Sequence, residues 1–274
     1  MRKTPMARLV LYLSLAVAAA ALSLPFYYMI VTSLKPTEEV TSIPVRLTLE
    51  NPTLRNYREL LGSTSMLRTM WNSFVIAALL TLGNLILCPL AGYSFAKHRF
   101  PGKETLFTGL LATMMIPASV LLIPGFLLFR DLGWLNTWAP LIVPGLAGVF
   151  GVFLSRQFIA EIPDDLIDAA RIDGCNEFQI FRHVTMPLSK ALLATLAILT
   201  FLGSWNSFIG PLIYLLDEDK FTLPLLMALL QGRFTAKENI QMAGAFLSIL
   251  PVLLVFMMFQ KHIVKSLATS GLKG

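Results

Sequence analysis

Residues 161–187 read "EIPDDLIDAARIDGCNEFQIFRHVTMP", and this stretch holds six of the chain's 16 acidic residues between two long apolar runs. Pro163 followed by Asp164 and Asp165 marks a helix start. Proline pre-sets φ for the first turn, and carboxylates favour the positive end of the helix dipole. Leu166, Ile167 and Ala170 then fall on one apolar face. Gly174, directly after Asp173, suits the left-handed residue that stops a helix. Asn176 and Gln179 have the spacing of a capping box for a second helix, whose apolar stripe is Phe178, Phe181 and Val184. Pro187 resets the chain before the next apolar run. Two short amphipathic helices joined by a glycine turn are therefore predicted. Helices this short are marginal in water and need a surface to pack on. That surface is either the face of a membrane or the groove of a soluble partner.

The surrounding composition names the solvent. The 274 residues are 55% hydrophobic and 14% charged, with a mean hydropathy of +0.69, whereas soluble domains carry about 25% charged residues. Six apolar runs cover approximately 9–34, 70–96, 105–129, 139–158, 190–216 and 239–260. Each can cross a hydrocarbon layer of about 30 Å, which takes roughly 20 residues as a helix. Backbone groups in lipid must pair within their own segment, so an all-α integral membrane fold with six transmembrane helices is expected. Residues 1–8 would form one terminus, 9–260 the six-span domain and 261–274 a tail. Pro25, Pro89, Pro117, Pro124, Pro140, Pro144, Pro211 and Pro251 lie in or near the spans and would kink them. The first run resembles a secretory signal but continues through "LPFYYMIVTSL", so it reads as a retained span.

Lysine and arginine set the sidedness. With both termini in the cytoplasm, the inner segments hold 13 basic and seven acidic residues, net +6, and the outer ones nine of each. The short loops agree: "AKHRFPGK" carries three basic residues and "RDLGWLNT" one. The tight polar turn "RDLGWLNTW" is flanked by Trp134 and Trp138 as interfacial residues. The 161–187 segment therefore faces the cytoplasm of a multi-pass plasma- or inner-membrane protein.

No ionisable residue lies deep within a span. Ion-coupled carriers, pumps and voltage sensors place such residues in the bilayer, so this chain has no evident means of using a gradient. It also lacks a GxxxxGK[ST] loop, and so a recognisable phosphate cradle. His98, His183 and His262 have no metal-ligand spacing, Cys88 and Cys175 suggest no disulfide framework, and no catalytic constellation stands out. Passive pore, structural subunit and partner-driven transporter remain.

"DAARIDGCNEFQIFRHVTMP" resembles the cytoplasmic "EAA" loop of permease subunits in binding-protein-dependent, ATP-driven (ABC) importers. Ala169, Ala170, Asp173, Gly174 and Pro187 match the pattern, while Asp168 replaces its usual glutamate and Ala191 a frequent second proline. "SLKP", "FPGK", "SWNSFIGPL" and the ending "HIVKSLATSGLKG" resemble the carbohydrate-importer branch, on the side of the smaller, six-span maltose-type permease. The resemblance covers nearly the whole chain. It implies a type I importer bundle whose loop docks in an ATPase cleft through Asp168, Ala169, Ala170, Asp173, Gly174, Phe178 and Pro187. It also implies a tail, including Lys273 and Gly274, that touches the ATPase.

The implied partners are a second, non-identical permease, two ATP-binding subunits, an extracytoplasmic solute-binding protein, membrane lipid and a sugar. ATP and magnesium would sit on the ATPases, with no cofactor or metal on this chain, no nucleic acid partner, and no enzymatic activity of its own. By the same resemblance the fifth span lines the path. Trp205, Asn206 and Ser207 there offer an aromatic face beside hydrogen-bonding groups, suited to a sugar; the same polar groups also suit bonds between helices. The outer segments, 33–70 and "LLDEDKFTLPLLMALLQGRFTAKENIQ", read as surfaces, the latter as a hairpin towards the binding protein or a simple cover. Glycerol phosphate or another polyol is the alternative cargo, and a membrane enzyme, passive channel or scaffold the non-transporter alternative.

Overall fold

A computed structural model of the chain describes residues 5–40, 47–234 and 237–270, so Lys273 and Gly274 lie outside the described residues. All regular elements among those residues are helical. In chain order they are α1 (Pro5–Ser33), α2 (Thr37–Val40), α3 (Arg55–Ser63), α4 (Met66–Lys97), α5 (Lys103–Thr113), α6 (Leu122–Asp131), α7 (Ala139–Ile142) and α8 (Val149–Ala160). There follow α9 (Asp164–Ile172), α10 (Glu177–Ile180), α11 (Met186–Leu188), α12 (Lys190–Trp205), α13 (Ile209–Tyr214), α14 (Leu223–Arg233) and α15 (Glu238–Ser270). A π-helical turn at Phe181–Thr185 joins α10 to α11.

Leu9–Ser33, Met66–Lys97, Ala139–Ala160 and Glu238–Met258 are long and apolar enough to cross a membrane. The remaining apolar segments are bent, one within the expected span 105–129 and one just before the expected span 190–216. Lys103–Thr113 turns by 86° into Ala118–Asp131, and Glu177–Leu188 turns by 79° into Lys190–Trp205. The run 105–129 is thus no continuous rod. Pro117 lacks an amide hydrogen and takes an extended backbone at the break (ψ 133°), which also disfavours helix in the residue before it. The expected span 190–216 likewise stops at Trp205. There the Asn206 amide donates to the Leu202 carbonyl at 2.9 Å, and α13 begins as a separate element. Pro25, Pro89 and Pro251, by contrast, sit inside unbroken helices.

The chain divides into two compact units. The first comprises residues 1–66 and 226–251. Its irregular 33–37 segment is held by asparagines: Asn56 donates to the Ser33 and Lys35 carbonyls at 2.8 Å, and Asn239 to Asn56 Oδ1 at 2.8 Å. The second comprises residues 67–225 and 252–274. Its core joins Cys88 and Tyr93 of α4, Val152 and Ile159 of α8, Ile167 and Ala170 of α9, Ile180, Phe181, and Leu192 and Leu196 of α12.

Two devices bring α4 and the α7–α8 segment together. Gly92 lies against Ser155, where a Cβ would collide with the Ser155 side chain and stand 2.8 Å from the Arg156 nitrogen. Eight residues earlier on α4, Asn84 serves the break between α7 and α8. Its Nδ2 donates to the Gly145 carbonyl at 2.6 Å and its Oδ1 accepts from the Gly148 amide at 3.3 Å. Irregular backbone is tolerated in an apolar layer only where such partners exist.

Candidate functional site

The 161–187 segment folds as two helices around a glycine. Asp164 and Asp165 occupy the first turn of α9, directly after Pro163. Gly174 takes φ +84°, its amide donates to the Arg171 carbonyl, and the Cys175 amide reaches back to Ala170, both at 3.0 Å. These are the two bonds of a Schellman stop. Asn176 and Gln179 bond reciprocally, at 2.8 and 2.9 Å, as a capping box on α10.

The predicted apolar stripes are half right. Ile167 and Ala170 are buried in the second unit's core, but Leu166 faces outward. Phe181 is buried and Val184 partly so, whereas Phe178 is 65% exposed and Ile180, two residues on, takes the inward position. The π-turn accounts for that shift in part, since its wider spacing changes which residues share a face. Leu166, Ala169 and Ile172 lie at helical spacing opposite the buried pair, and Ile172 is 87% exposed. With Phe178 they give the loop a second, uncovered apolar side. Asp168, Asp173 and Gly174 are exposed on α9 and its stop, and Pro187 is exposed beyond the π-turn; of the predicted docking residues Ala170 alone points into the core.

Charged groups tie this loop to the end of α4. Lys97 Nζ donates to Asp164 at 2.6 Å and also to the Ile162 carbonyl. Arg171 Nε and Nη2 each lie 2.9 Å from Glu177 Oε1, and Arg171 Nη1 lies 2.9 Å from Asp168. The Tyr93 hydroxyl donates to Glu177 Oε2 at 2.8 Å, and His98 Nε2 lies 3.2 Å from the same oxygen. The Lys97 ammonium holds the Asp164 carboxyl below its ordinary range. The Arg171 guanidinium does the same for Glu177, against the effect of burial. Sequence reading did not single out Tyr93, Lys97, Arg171 or Glu177. The available signal was the basic "AKHR" at the end of one span facing an acidic segment 60-odd residues on.

Elsewhere in the second unit, a cavity of about 250 Å³ is lined by residues of α4, α7, α12 and α13. Ser204, Ser207, Tyr214 and Thr222 supply its polar lining among apolar groups, with no lysine or arginine. Thr222 is 4% exposed, and its hydroxyl has no hydrogen-bond partner among the described residues. Of the three residues expected at a solute path, Ser207 lines this cavity. Trp205 is 3% exposed and stacks on Phe201, and the Asn206 amide is engaged by Leu202.

Residues 88–269, which include this loop and this cavity's α12 and α13 walls, match the profile of the binding-protein-dependent transport system inner membrane component family. The chain belongs to that family. This inner membrane component is 32% identical over 253 residues to the arabinooligosaccharides transport system permease protein AraQ of Bacillus subtilis, covering 91% of this chain and 90% of that protein. It is 30% identical to the sn-glycerol-3-phosphate transport system permease protein UgpE of Brucella abortus, over 96% of both chains. It is 31% identical to the lactose transport system permease protein LacG of Rhizobium radiobacter, over 96% and 95%. Among solved structures it is similar to a chain of a bacterial ABC transporter involved in the import of alginate, an acidic polysaccharide. There the TM-score is 0.82 at 25% identity, covering 95% of this chain and 98% of that one. The all-helical membrane component is thus a transport permease subunit and not an enzyme.

Proposed function

We propose that this permease subunit imports a neutral sugar, with the 161–187 loop as its coupling element to a cytoplasmic ATPase. The observation that carries the reading is the loop itself. It is a compact two-helix knob, closed by a Schellman stop and a capping box, fixed by ion pairs on one side and apolar and uncovered at Leu166, Ile172 and Phe178 on the other. Such a side suits insertion in a groove of a soluble partner.

In this reading both termini are cytoplasmic, and ATP and magnesium belong to two ATPase subunits. Asp168, Ala169, Asp173, Gly174, Phe178 and Pro187 meet the ATPase cleft while Ala170 anchors the knob from below, and the tail with Lys273 and Gly274 adds a second contact. A second, non-identical permease completes the path, and an extracytoplasmic binding protein delivers the solute. Closure of the ATPases on ATP draws the two permeases' loops together, and the spans switch from inward- to outward-facing.

The cavity beside Ser207 supports a neutral sugar over glycerol phosphate. Its hydroxyl-rich lining suits a hydroxyl-rimmed ring, whereas a phosphate favours arginine or lysine, and neither lines it.

The test purifies the chain with its copurifying subunits from its native membrane into proteoliposomes and supplies the soluble extracytoplasmic proteins of the same cells as the source of the binding protein. ATP-dependent uptake of arabinooligosaccharide or lactose exceeding that of glycerol 3-phosphate is expected, together with a cross-link between Ala169→Cys and a cysteine in the ATPase cleft. Uptake by the chain alone, or labelling of Ala169→Cys from outside the cell, overturns the reading.

A further inference from the structure

We propose that Glu177 is a positioning residue that clamps the coupling loop to the end of α4, so that displacement of the loop carries α4 with it. The inference rests on the coupling reading above and adds where the displacement goes. By sequence the loop is continuous with α8 on one side and α12 on the other, so α12, beyond the 79° bend, is the evident receiver of any movement. The structure provides a third connection, to a helix more than 60 residues away in sequence.

Glu177 is its centre. One carboxylate oxygen accepts from Arg171 of α9, and the other accepts from the Tyr93 hydroxyl and faces His98. A single side chain at the start of the second loop helix therefore bonds the first loop helix and α4 at once. The bonds to Arg171 are charge-assisted, the strong kind, and constrain direction as well as distance. Tyr93 is itself fixed: it is 3% exposed, with its ring 5.1 Å from His98 and 5.6 Å from Phe181. Lys97, one helical turn on, holds the opposite end of α9 through Asp164 and Ile162. The loop is thus attached to α4 at both of its helices, by groups that resist sliding and rotation. Apolar contact between the same elements, through Ile167, Ala170 and Phe181, has no such directionality.

The test uses the complex purified through this chain in proteoliposomes, with Trp71→Cys near the far end of α4 as reporter and a membrane-impermeant maleimide as probe. In the parent, ATP is expected to change the labelling rate by about fivefold, the low end of typical coupling between sites. Glu177→Gln is expected to keep the ATPase bound and hydrolysing while the ATP-dependent change in labelling is lost. Tyr93→Phe should weaken the change in the parent background and alter nothing further in Glu177→Gln, a dependence that general destabilisation would not produce. Retention of the labelling change in Glu177→Gln overturns the proposal, as does a parent that hydrolyses ATP with no change at Trp71→Cys, or additive effects of the two substitutions. Failure of any ATPase to copurify with the parent instead overturns the coupling reading itself.

Discussion

Gly92 of α4 and Ser155 of α8 are in backbone-to-backbone contact, with no room for even a methyl group at Gly92. That crossing sets how closely the two helices supporting the loop can approach. Small residues permit such contacts in membranes, where packing rather than water exclusion holds helices together.

Gly92→Ala should therefore destabilise the chain by about 1–3 kcal/mol, the usual cost of overpacking. Its thermal unfolding in detergent micelles should fall below the parent's, whereas Gly109→Ala, with nothing within 4 Å of its added Cβ, should remain close to the parent.

Asn84→Leu keeps the side-chain volume but leaves the Gly145 carbonyl and Gly148 amide without their partner. The expected cost is about 1–3 kcal/mol per group left unsatisfied. The readout is the denaturation midpoint, with Asn206→Ala, an exposed self-capping contact, as the milder control.

At Gly174 the obstacle is conformational and not spatial, because no atom lies within 4 Å of an added Cβ while φ is +84°. Gly174→Val should cost roughly 1–2 kcal/mol for the left-handed backbone and reduce ATP-driven uptake with membrane insertion unchanged. Gly174→Asn, a residue that tolerates this conformation, should be the milder change. Equal uptake by parent and valine variant would count against a role for the stop.

The ties between α4 and the loop have a defined acid limit. Asp164 and Glu177 are depressed from ordinary values of 3.8 and 4.5, by Lys97 and Arg171 respectively. A depressed carboxylate contributes stability that is present above its unfolded pKa and is lost as pH falls through its folded one. Neutral pH therefore leaves the ties intact, and they should loosen only below about pH 4, in the range where unfolded carboxylates take up protons. Limited proteolysis at Arg171 against pH should show accelerating cleavage there, and Lys97→Met should be cleaved faster at neutral pH with a flatter acid response.

Much of this architecture is legible in the residues. Apolar run length and the scarcity of charge disclose a multi-span helical protein, and the loop's proline, glycine and asparagine disclose its two helices and their ends. Those are local signals. The bends are less legible, because Pro117 breaks its helix while Pro25, Pro89 and Pro251 do not. The residue type is the same in all four cases, so apolar periodicity and proline position alone do not tell a broken helix from an unbroken one. The outward turn of Phe178 and the burial of Ile180 come just before a π-turn, a departure from the 3.6-residue period on which stripe reading relies and one that accounts for the shift in part. Glu177 was hidden for a different reason: its partners Tyr93 and His98 are about 80 residues distant, and only the folded crossing assembles them.

The wide turn at Phe181–Thr185 amounts to one residue more than a regular helix would use. Deleting a single amino acid there would let the segment rewind as regular helix with the faces on either side kept, because the bulge already absorbs the extra residue. A deletion within α9 or α10 has no such slack and turns what precedes it by about 100°. A one-codon loss is consequently tolerated at the wide turn and re-aims the knob elsewhere in the segment.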